Sequence, residues 1–258
     1  MKVIILAAGQ GTRLRPLTDD RPKCLVEFCG QTLLERQVNV HRQLGLTDIH
    51  ILSGYRSDQI EERGLATLIN PDYATTNMVA TLFCGASLMT GEEDVVISYG
   101  DIVFEPPVLE KLLASDSPLS IVSDQEWERF WSLRMENPLD DAETFKTDAD
   151  GRVVELGLKP TSRHEVQGQY IGLIKVRADV VKRFVEEGEK LKDEGEEVRG
   201  RDFASMYMTD FLQHLIDVGL EAKAVPIENG WLEVDTVEDL RHYEKMASVG
   251  KLDQFFKG

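Results

Sequence analysis

The N-terminal segment constrains the fold most, because a short aliphatic run leads directly into a loop of small and basic residues. Val3–Leu6 is β-branched and aliphatic, which is typical of a strand buried inside a parallel sheet. Gly9 and Gly11 follow, and small residues in such a loop let backbone N–H groups approach an anion closely. The apolar run Val3–Ala8 is too short for a secretory signal peptide. The sequence therefore predicts a buried first strand followed by an anion-binding loop.

Arg13 and Lys23 distinguish this loop from the commonest glycine-rich phosphate-binding motifs. No Gly-Lys-Ser or Gly-Lys-Thr follows the spaced glycines, so the segment is not a P-loop. The stretch Gly9–Gly11 runs into Thr12 and a proline-containing loop, unlike a dinucleotide-binding fingerprint. By itself, a Gly-x-Gly is usually only a tight turn. Together with two cations that can stabilise phosphoryl oxygens, it predicts a triphosphate site.

The acidic composition limits the classes of ligand. A formal net charge of −17 over 258 residues argues against general affinity for nucleic acid or for anionic membranes. Against this background the basic residues near the N-terminus form a distinct cluster, which comprises Arg13, Arg15, Arg21 and Lys23. No apolar run approaches the roughly 20 residues of a membrane-spanning helix. Three cysteines without metal-ligand spacing favour a reducing compartment, so we expect a cytoplasmic protein.

Alternating strand and helix patterns predict an α/β fold with a Rossmann-like, mostly parallel mixed sheet flanked by helices. Further strands are expected at Ile49–Leu52, Ala66–Ile69, Asp94–Ser98 and Leu119–Ser123. Helices are expected at Thr32–Leu44, Ser57–Arg63, Met78–Met89 and Pro107–Ala114. Ligands of such sheets bind beyond the carboxyl ends of the strands. The loops after Leu6, Leu52 and Ser98 should therefore converge on one crevice.

The second half of the chain has a less regular pattern. Strands, some of them antiparallel, are predicted at Trp131–Met135, Ala142–Thr147, Val153–Gly157 and Gln169–Val176. The charged stretch Val180–Val198 favours a solvated helix. Thr236–Met246 is expected to form a closing helix, with Thr236 and Asp239 as a capping box. No linker or internal repeat divides the sequence, so we expect one domain over residues 1–258.

Two aspartates follow strand patterns at positions where the crevice is expected. Asp101 comes shortly after Asp94–Ser98, and Asp235 directly follows Trp231–Val234. Either alone would be an ordinary turn or cap residue. Together they form an oxygen-ligand pair suited to Mg²⁺, which takes one or two protein carboxylates and keeps several waters.

The opening, Leu6 to Arg13 with Lys23, resembles the signature of the sugar-phosphate and phosphocholine nucleotidyltransferases, which have the nucleotide-diphospho-sugar transferase-like fold. The resemblance implies that Arg13 and Lys23 are catalytic and stabilise the triphosphate and the transition state. The residues expected to bind the nucleotide are Leu6, Ala7, Ala8, Gly9, Gly11, Thr12, Gly54 and Asn77.

The two aspartates also lie in stretches that resemble family motifs. Glu233–Thr236 is similar to the late metal-binding motif, and Tyr99–Asp101 is similar in part to the middle one. Gly100 stands where some relatives carry a further aspartate, which leaves one ligand fewer. The resemblance implies that Asp101 and Asp235 bind Mg²⁺.

The acceptor site is expected in the second half. Lys159 resembles the family's lysine that holds the acceptor's phosphate. Trp127 and Trp131 lie near acidic residues and can enclose an ammonium group through cation–π attraction, worth up to about 2 kcal/mol when desolvated. At their i, i+4 spacing they can equally pack in the core.

Other charged side chains offer contrasting contacts to an acceptor. Arg129, Arg134 and Lys175 can receive a carboxylate. Asp210 can bind an ammonium group, or it can simply begin a helix. In this interpretation residues 1–123 form the nucleotide-binding half, and residues 124–258 bind the acceptor and complete the metal site.

The resemblance and the residues together predict a cytidylyltransferase. It would transfer CMP from CTP to phosphocholine, an aminoalkylphosphonate or an amino-acid-derived phosphate and release pyrophosphate. No catalytic base is required, because a phosphate monoester is mostly a dianion at neutral pH, with a second pKa of about 6. The alternative is a sugar-1-phosphate nucleotidyltransferase that uses UTP, dTTP or GTP. A catalytically silent nucleotide-binding subunit is disfavoured, because Arg13, Lys23, Asp101 and Asp235 are all present.

Overall fold

A computed structural model of the chain describes residues 1–258. The strands are β1 Lys2–Ala7, β2 Glu27–Phe28, β3 Gln31–Thr32, β4 Asp48–Ser53, β5 Ala66–Ile69, β6 Val95–Tyr99, β7 Ile102–Phe104, β8 Leu119–Asp124, β9 Phe145–Thr147, β10 Val153–Leu156, β11 Gln169–Val176, β12 Ala222–Ile227 and β13 Trp231–Glu233. The α-helices are α1 Leu33–Gln43, α2 Ser57–Glu61, α3 Met78–Phe83, α4 Pro106–Leu113, α5 Trp127–Arg134, α6 Ala178–Glu194, α7 Met208–Asp217 and α8 Val237–Ser248.

A seven-stranded sheet of order β12-β8-β11-β6-β1-β4-β5 runs through the molecule and takes strands from both halves of the chain. All neighbouring pairs are parallel except those of β11, which is antiparallel to β6 and to β8. Leu6 pairs with Leu52 on one side and with Tyr99 on the other. The carboxyl ends of three strands therefore lie together, and the predicted mostly parallel mixed sheet is confirmed.

The central strand β1 is apolar on both faces because helices cover both sides of the sheet. Val3, Ile5 and Ala7 belong to one buried cluster, and Ile4 and Leu6 belong to the other. This is the burial expected of a parallel strand in a doubly covered sheet. The loop after Ala7 therefore leaves a strand that is fixed from both faces.

Helix-capping residues define the ends of two helices that matter for the site. Thr32 and Glu35 form a capping box at the start of α1. Thr236 and Asp239 form the predicted capping box at the start of α8. In each case the hydroxyl oxygen accepts from the N3 backbone N–H, and the N3 carboxylate accepts from the cap's own N–H.

Helix α6 confirms the charged helix predicted within Val180–Val198. Its buried residues Val181, Phe184, Gly188 and Leu191 recur at helical spacing, and Gly195 ends it in the left-handed conformation. None of the helices combines the length with the apolar character that a bilayer span requires.

The strand predicted at Trp131–Met135 is wrong, because residues 127–134 form helix α5. Trp127, Phe130 and Trp131 are buried on one face at i, i+3 and i+4 positions, which is a helical period. Aromatic and apolar residues between Trp131 and Met135 imitate strand alternation over a stretch too short to separate the two periods. Strands β7 and β12 were not predicted, since their apolar runs are short, and for helix α7 the sequence offered only Asp210 as a possible helix start.

The close approach of α6 to Phe83 leads to a stability prediction. A Cβ at Gly188 would lie 1.8 Å from the Phe83 ring, which itself packs edge-on against Phe203 and Phe211. Gly188→Ala should therefore lower the free energy of unfolding by about 1–3 kcal/mol through overpacking, although the same change in an open helix would stabilise by about 1 kcal/mol. Urea denaturation measures the difference. Glu189→Ala, an exposed change on the same helix, should be nearly neutral, and a stabilised Gly188→Ala variant would contradict the packing.

Candidate active site

A short antiparallel ribbon brings Asp101 and Asp235 together although they are distant in sequence. Strands β7 and β13 pair with Ile102 opposite Glu233. Beyond this pair, the backbone N–H of Val234 donates to the carbonyl oxygen of Asp101 at 3.1 Å. The two aspartates therefore stand side by side at the carboxyl edge of the sheet, where the sequence predicted a metal site.

Lys23 lies between the two carboxylates. Its Nζ donates to Asp101 Oδ2 at 2.8 Å and to Asp235 Oδ1 at 2.7 Å, so these oxygens are no more than 5.5 Å apart. Burial alone would lower the pKa of Lys23, but attraction to Asp101 and Asp235 outweighs it and raises that pKa. Arg13, which is largely exposed, pairs with Asp235 Oδ2 at 2.5 Å. The two basic residues and two aspartates expected to act together thus form one cluster.

Gly11 is required by the way the N-terminal loop folds over Lys23. Its φ is +74°, and a Cβ there would lie 2.8 Å from the Cβ of Lys23. The Thr18 hydroxyl donates to the Gly11 carbonyl at 2.8 Å and fixes the turn. A short 3₁₀ helix over Thr12–Leu14 follows and directs Arg13 toward the aspartates.

The two aspartates fit a divalent cation that prefers oxygen ligands. Asp101 Oδ1 is buried and has no hydrogen-bond partner, so it is an acceptor that still needs a cation or donor. No group of three or more histidine, cysteine, aspartate or glutamate side chains is arranged around a possible ion. Two carboxylates are nevertheless the number that Mg²⁺ takes from protein in many nucleotide sites.

The backbone of Asp235 is held by a network of buried charges. Its N–H donates to Asp239 Oδ2, and Arg134 binds both oxygens of Asp239 at 3.1 and 3.2 Å. Arg134 also pairs with Glu233. The sequence allowed Arg134 to receive an acceptor carboxylate. Because Asp239 and Glu233 occupy its guanidinium, Arg134 is not free to do so.

A cavity of about 200 Å³ adjoins the cluster at the ends of β1 and β6. Of the residues expected to bind the nucleotide, it is lined by Leu6, Ala7, Ala8, Gly9 and Asn77. Lys23 and Asp101 form its charged end, and Tyr73, Thr76 and Thr81 add polar groups that the sequence did not indicate. Its position beyond the strand ends is that expected for a ligand of such a sheet.

Gly11, Thr12 and Gly54 do not line this cavity themselves. Gly54 affects the cavity through Tyr73. A Cβ on residue 54 would lie 2.5 Å from the Tyr73 Cβ and 2.9 Å from the Ala8 carbonyl oxygen. Its small size therefore allows Tyr73 to reach the cavity wall. Asn77 caps α3 by accepting from the N–H of Met78.

A second cavity of about 290 Å³ lies on the other side of Tyr99, and both cavities are lined by Tyr99 and Met78. Gly172, at φ +82° in the irregular part of β11, makes this possible, since a Cβ there would lie 2.5 Å from the Tyr99 ring. Most of its other lining residues are aromatic or charged. These are Arg13, Trp131, Asp141, Glu143, Tyr170, Tyr207, Trp231 and Glu233.

The acidic side of the second cavity disfavours further negative charge. Burial, with added repulsion from Asp210 and Asp141, raises the pKa of Glu143 to about 7. Burial likewise raises the pKa of Glu233, which Arg134 offsets in part. A cationic group entering here would relieve these costs, which makes this end of the cavity suited to an ammonium ion.

The expected acceptor residues separate into those at the second cavity and those away from it. Both tryptophans are buried in the same core cluster, as the core alternative allowed; Trp127 donates its indole N–H to the Val166 carbonyl at 3.0 Å, and only Trp131 also lines the cavity. Arg129 stacks over the Phe255 ring at 4.5 Å, on another surface. The structure thus separates the two tryptophans that the sequence considered as a pair.

Asp210 and the two lysines considered for the acceptor are engaged elsewhere. Asp210 is buried, pairs with Arg201 at 3.0 Å and caps the start of α7, so the helix-start alternative describes its contacts. Lys159 donates to the carbonyls of Leu139 and Asp140 beside the cavity. Lys175 donates to carbonyls at the end of α4.

Comparison with known proteins identifies relatives of this chain in sequence. The MobA-like NTP transferase domain matches residues 3–154. The chain is 38% identical to the CTP:phosphoglutamine cytidylyltransferase of Campylobacter jejuni, over 93% of this chain and 98% of that protein. It is 41% identical to the choline-phosphate cytidylyltransferase of Streptococcus pneumoniae, over 32% of this chain and 38% of that protein.

A solved structure shows the same fold. The CTP:phosphocholine cytidylyltransferase from Streptococcus pneumoniae aligns with a TM-score of 0.75 at 23% identity, covering 95% of this chain and 98% of that one. The chain therefore belongs to the MobA-like NTP transferase family and is a nucleotidyltransferase.

Proposed function

We propose that this enzyme transfers CMP from CTP to a small phosphorylated acceptor that carries an ammonium group, and releases pyrophosphate. One observation supports this most directly: two cavities share Tyr99 and Met78 and meet near the cluster of Lys23, Asp101 and Asp235. A nucleotide and an acceptor bound on opposite sides of Tyr99 would bring their phosphates toward that cluster. The similarity to cytidylyltransferases acting on phosphoglutamine and choline phosphate supports both the donor and the acceptor class.

The reaction requires one bond to form and one to break at the α-phosphorus. An oxygen of the acceptor's phosphate, mostly a dianion above its second pKa of about 6, attacks the α-phosphorus of CTP. The bond to the bridging oxygen of the β-phosphate breaks, and pyrophosphate leaves with both electrons of that bond. No proton has to be removed from the attacking oxygen, so the side chains act by positioning and by neutralising charge.

Lys23 and Arg13 supply the positive charge in this proposal. An ammonium group has three N–H donors, and two of those on Lys23 are used by Asp101 and Asp235. The third remains for a phosphoryl oxygen. Arg13 is more exposed and can reach phosphates from the solvent side. Its planar guanidinium suits bidentate contact with phosphate.

Asp101 and Asp235 would hold Mg²⁺ beside the nucleotide. When bound, the ion would neutralise charge on the phosphates during transfer. Asp101 is suited to this role because one of its oxygens is buried without a partner.

The three free cysteines, Cys24, Cys29 and Cys84, support a reducing compartment such as the cytoplasm.

The acceptor's ammonium group would lie among Trp131, Glu143 and Asp141 in the second cavity. Aromatic faces attract such a cation, by up to about 2 kcal/mol when water is excluded. A hexose 1-phosphate, whose sugar carries no charge, would supply no cation to Glu143. The cavity therefore favours a zwitterionic acceptor over the sugar-phosphate alternative.

Pyrophosphate release tests the proposed substrates. With four triphosphates and a panel of acceptors, we expect turnover with CTP and with choline phosphate, ethanolamine phosphate or phosphorylated glutamine. Glycerol phosphate, which lacks the cation, should be used with at least about tenfold lower kcat/KM, given a cation–π contribution of about 2 kcal/mol. Activity confined to hexose 1-phosphates would refute the acceptor class. Asp235→Asn should lower turnover about 10²–10³-fold with every acceptor, whereas the exposed change Glu228→Gln should not.

Removing Lys23 tests the cation site independently of turnover. In Lys23→Met the carboxylates of Asp101 and Asp235 lose their shared partner, which should lower the free energy of unfolding by several kcal/mol, of the order of 3–5. Mg²⁺ should then bind the pair of carboxylates that has lost its ammonium partner and stabilise the variant by mass action. We expect Mg²⁺ to raise the melting temperature of Lys23→Met more than that of the wild type. Arg21→Met, at the neighbouring exposed cation, is the control. Equal increments in the two variants would argue against a cation at these aspartates.

Glu143 gives a pH prediction. Its pKa is raised from 4.5 to about 7 in the folded chain, so the unfolded chain releases this proton first as the pH rises. The folded state therefore loses stability between about pH 4.5 and pH 7, by about 3 kcal/mol in total.

Glu143→Gln should remove this dependence and be more stable than the wild type at pH 8, with little difference near pH 4.5. Unfolding at several pH values measures this, with the exposed change Glu186→Gln as control. A stability difference that does not vary with pH would mean that Glu143 does not titrate in this range. If Glu143 faces the acceptor's cation, the same variant should raise the KM for choline phosphate more than that for glycerol phosphate.

A further inference from the structure

Gln37 is a buried amide that points from helix α1 to the strand end carrying Asp101. Its side chain is fully buried. Nε2 donates to the carbonyl of Tyr99 at 2.7 Å and to that of Ile102 at 2.6 Å. Oε1 accepts from the hydroxyl of Ser98 at 2.7 Å. Both N–H donors of the amide and its oxygen are thus used by one short stretch of backbone and side chain.

The two carbonyls that Gln37 binds lie on either side of Asp101. They belong to the residue before Gly100 and to the residue after Asp101, so the amide brackets the tight turn between β6 and β7. Gly100 is needed there, since a Cβ would lie 2.8 Å from the Leu6 carbonyl oxygen. A glycine leaves the backbone free to adopt other conformations, however. Backbone bonds restrain the turn in part, since the Gly100 N–H donates to the Leu6 carbonyl and the Asp101 carbonyl accepts from Val234, and Gln37 is the side chain that adds a further restraint.

The amide of Gln37 satisfies two backbone carbonyls, so a positioning role has to be distinguished from a purely structural one by metal binding. The other buried residues of α1 are Leu33, Leu34, Val38 and His41, and none of these makes a side-chain hydrogen bond to the turn. A buried amide is costly unless each of its polar atoms is paired. The three bonds hold the backbone on both sides of Asp101, from which its carboxylate leaves the turn.

We propose that Gln37 is a positioning residue that holds Asp101 in the orientation needed to bind the divalent cation. This inference rests on the proposed function, in which Asp101 is a ligand of Mg²⁺. Groups that orient a metal ligand from behind commonly change metal affinity or activity by about 10–100-fold when they are removed. Gln37 contacts neither cavity, so its effect must pass through the turn.

His41 provides a matched control on the same helix. It lies one turn after Gln37, is fully buried, and packs edge-on against Phe104 of β7 with ring centroids 5.6 Å apart. Neither of its ring nitrogens has a hydrogen-bond partner. A change at His41 therefore perturbs the packing of α1 on β7 without removing a bond to the Asp101 turn.

The experiment compares Gln37→Met with His41→Leu and Asp101→Asn. Mn²⁺ binding to each chain without nucleotide is measured by electron paramagnetic resonance, and kcat, the KM for CTP and the half-saturating Mg²⁺ concentration are measured by pyrophosphate release. For Gln37→Met we expect about 10-fold weaker Mn²⁺ binding and a 10–100-fold lower kcat, with the KM for CTP changed less than threefold. His41→Leu should keep wild-type Mn²⁺ affinity, and Asp101→Asn should lose it.

The outcomes separate this inference from the proposed function. If Asp101→Asn abolishes Mn²⁺ binding but Gln37→Met leaves both affinity and kcat within twofold, Gln37 does not position the ligand and the proposed function stands. If Asp101→Asn itself keeps its affinity and turnover, the proposed cation site is wrong. Should Gln37→Met fail to fold, Ser98→Ala removes one of the three bonds and should shift Mn²⁺ affinity in the same direction by a smaller factor. Unchanged affinity in Ser98→Ala would then overturn the inference.

Discussion

The ammonium group of Lys23 between two aspartates is the interaction on which the site depends. Without a counter-charge, Asp101 and Asp235 would repel each other at the end of a buried ribbon, and burying one unpaired carboxylate is strongly unfavourable. Lys23 allows the chain to fold with both carboxylates already adjacent. In the proposed function this arrangement preorganises the site for a doubly charged ion and a polyanionic ligand, so that only a modest exchange of partners would accompany binding.

Tyr99 connects this charged centre to the two cavities. It lines both of them, and Gly172 in the irregular part of β11 leaves room for its ring. Because Tyr99 lines both cavities, a ligand bound in one cavity would lie close to a ligand bound in the other. In the proposed function, the aromatic and acidic lining of the second cavity would select the acceptor, while the first cavity would hold the nucleotide.

Much of the fold and of the charged centre could be predicted from the sequence. Period-2 and period-3.6 patterns located the parallel strands and most helices, and the loop from Leu6 to Lys23 indicated an anion site because several independent features coincide there. The residues that line the second cavity were harder to predict from the sequence. Glu143, Tyr170 and Tyr207 lie far apart in sequence and carry no local motif, so only the antiparallel placement of β11 and the start of α7 bring them together. Trp127 and Trp131 are the same residue type one helical turn apart and are both buried in one core cluster, but only Trp131 also lines the second cavity, which the sequence could not indicate.

The ribbon between β7 and β13 has a consequence for how the enzyme comes into being. Its second strand, β13, is synthesised long after its first, β7, although the two are joined in the fold. A nascent chain that lacks β13 has the glycine loop, Lys23 and Asp101, which can pair with each other, but not Asp235. The charged cluster is complete only when β13 pairs with β7. A chain truncated before β13 would expose the basic loop with Lys23 and Arg13 lacking Asp235 as a partner.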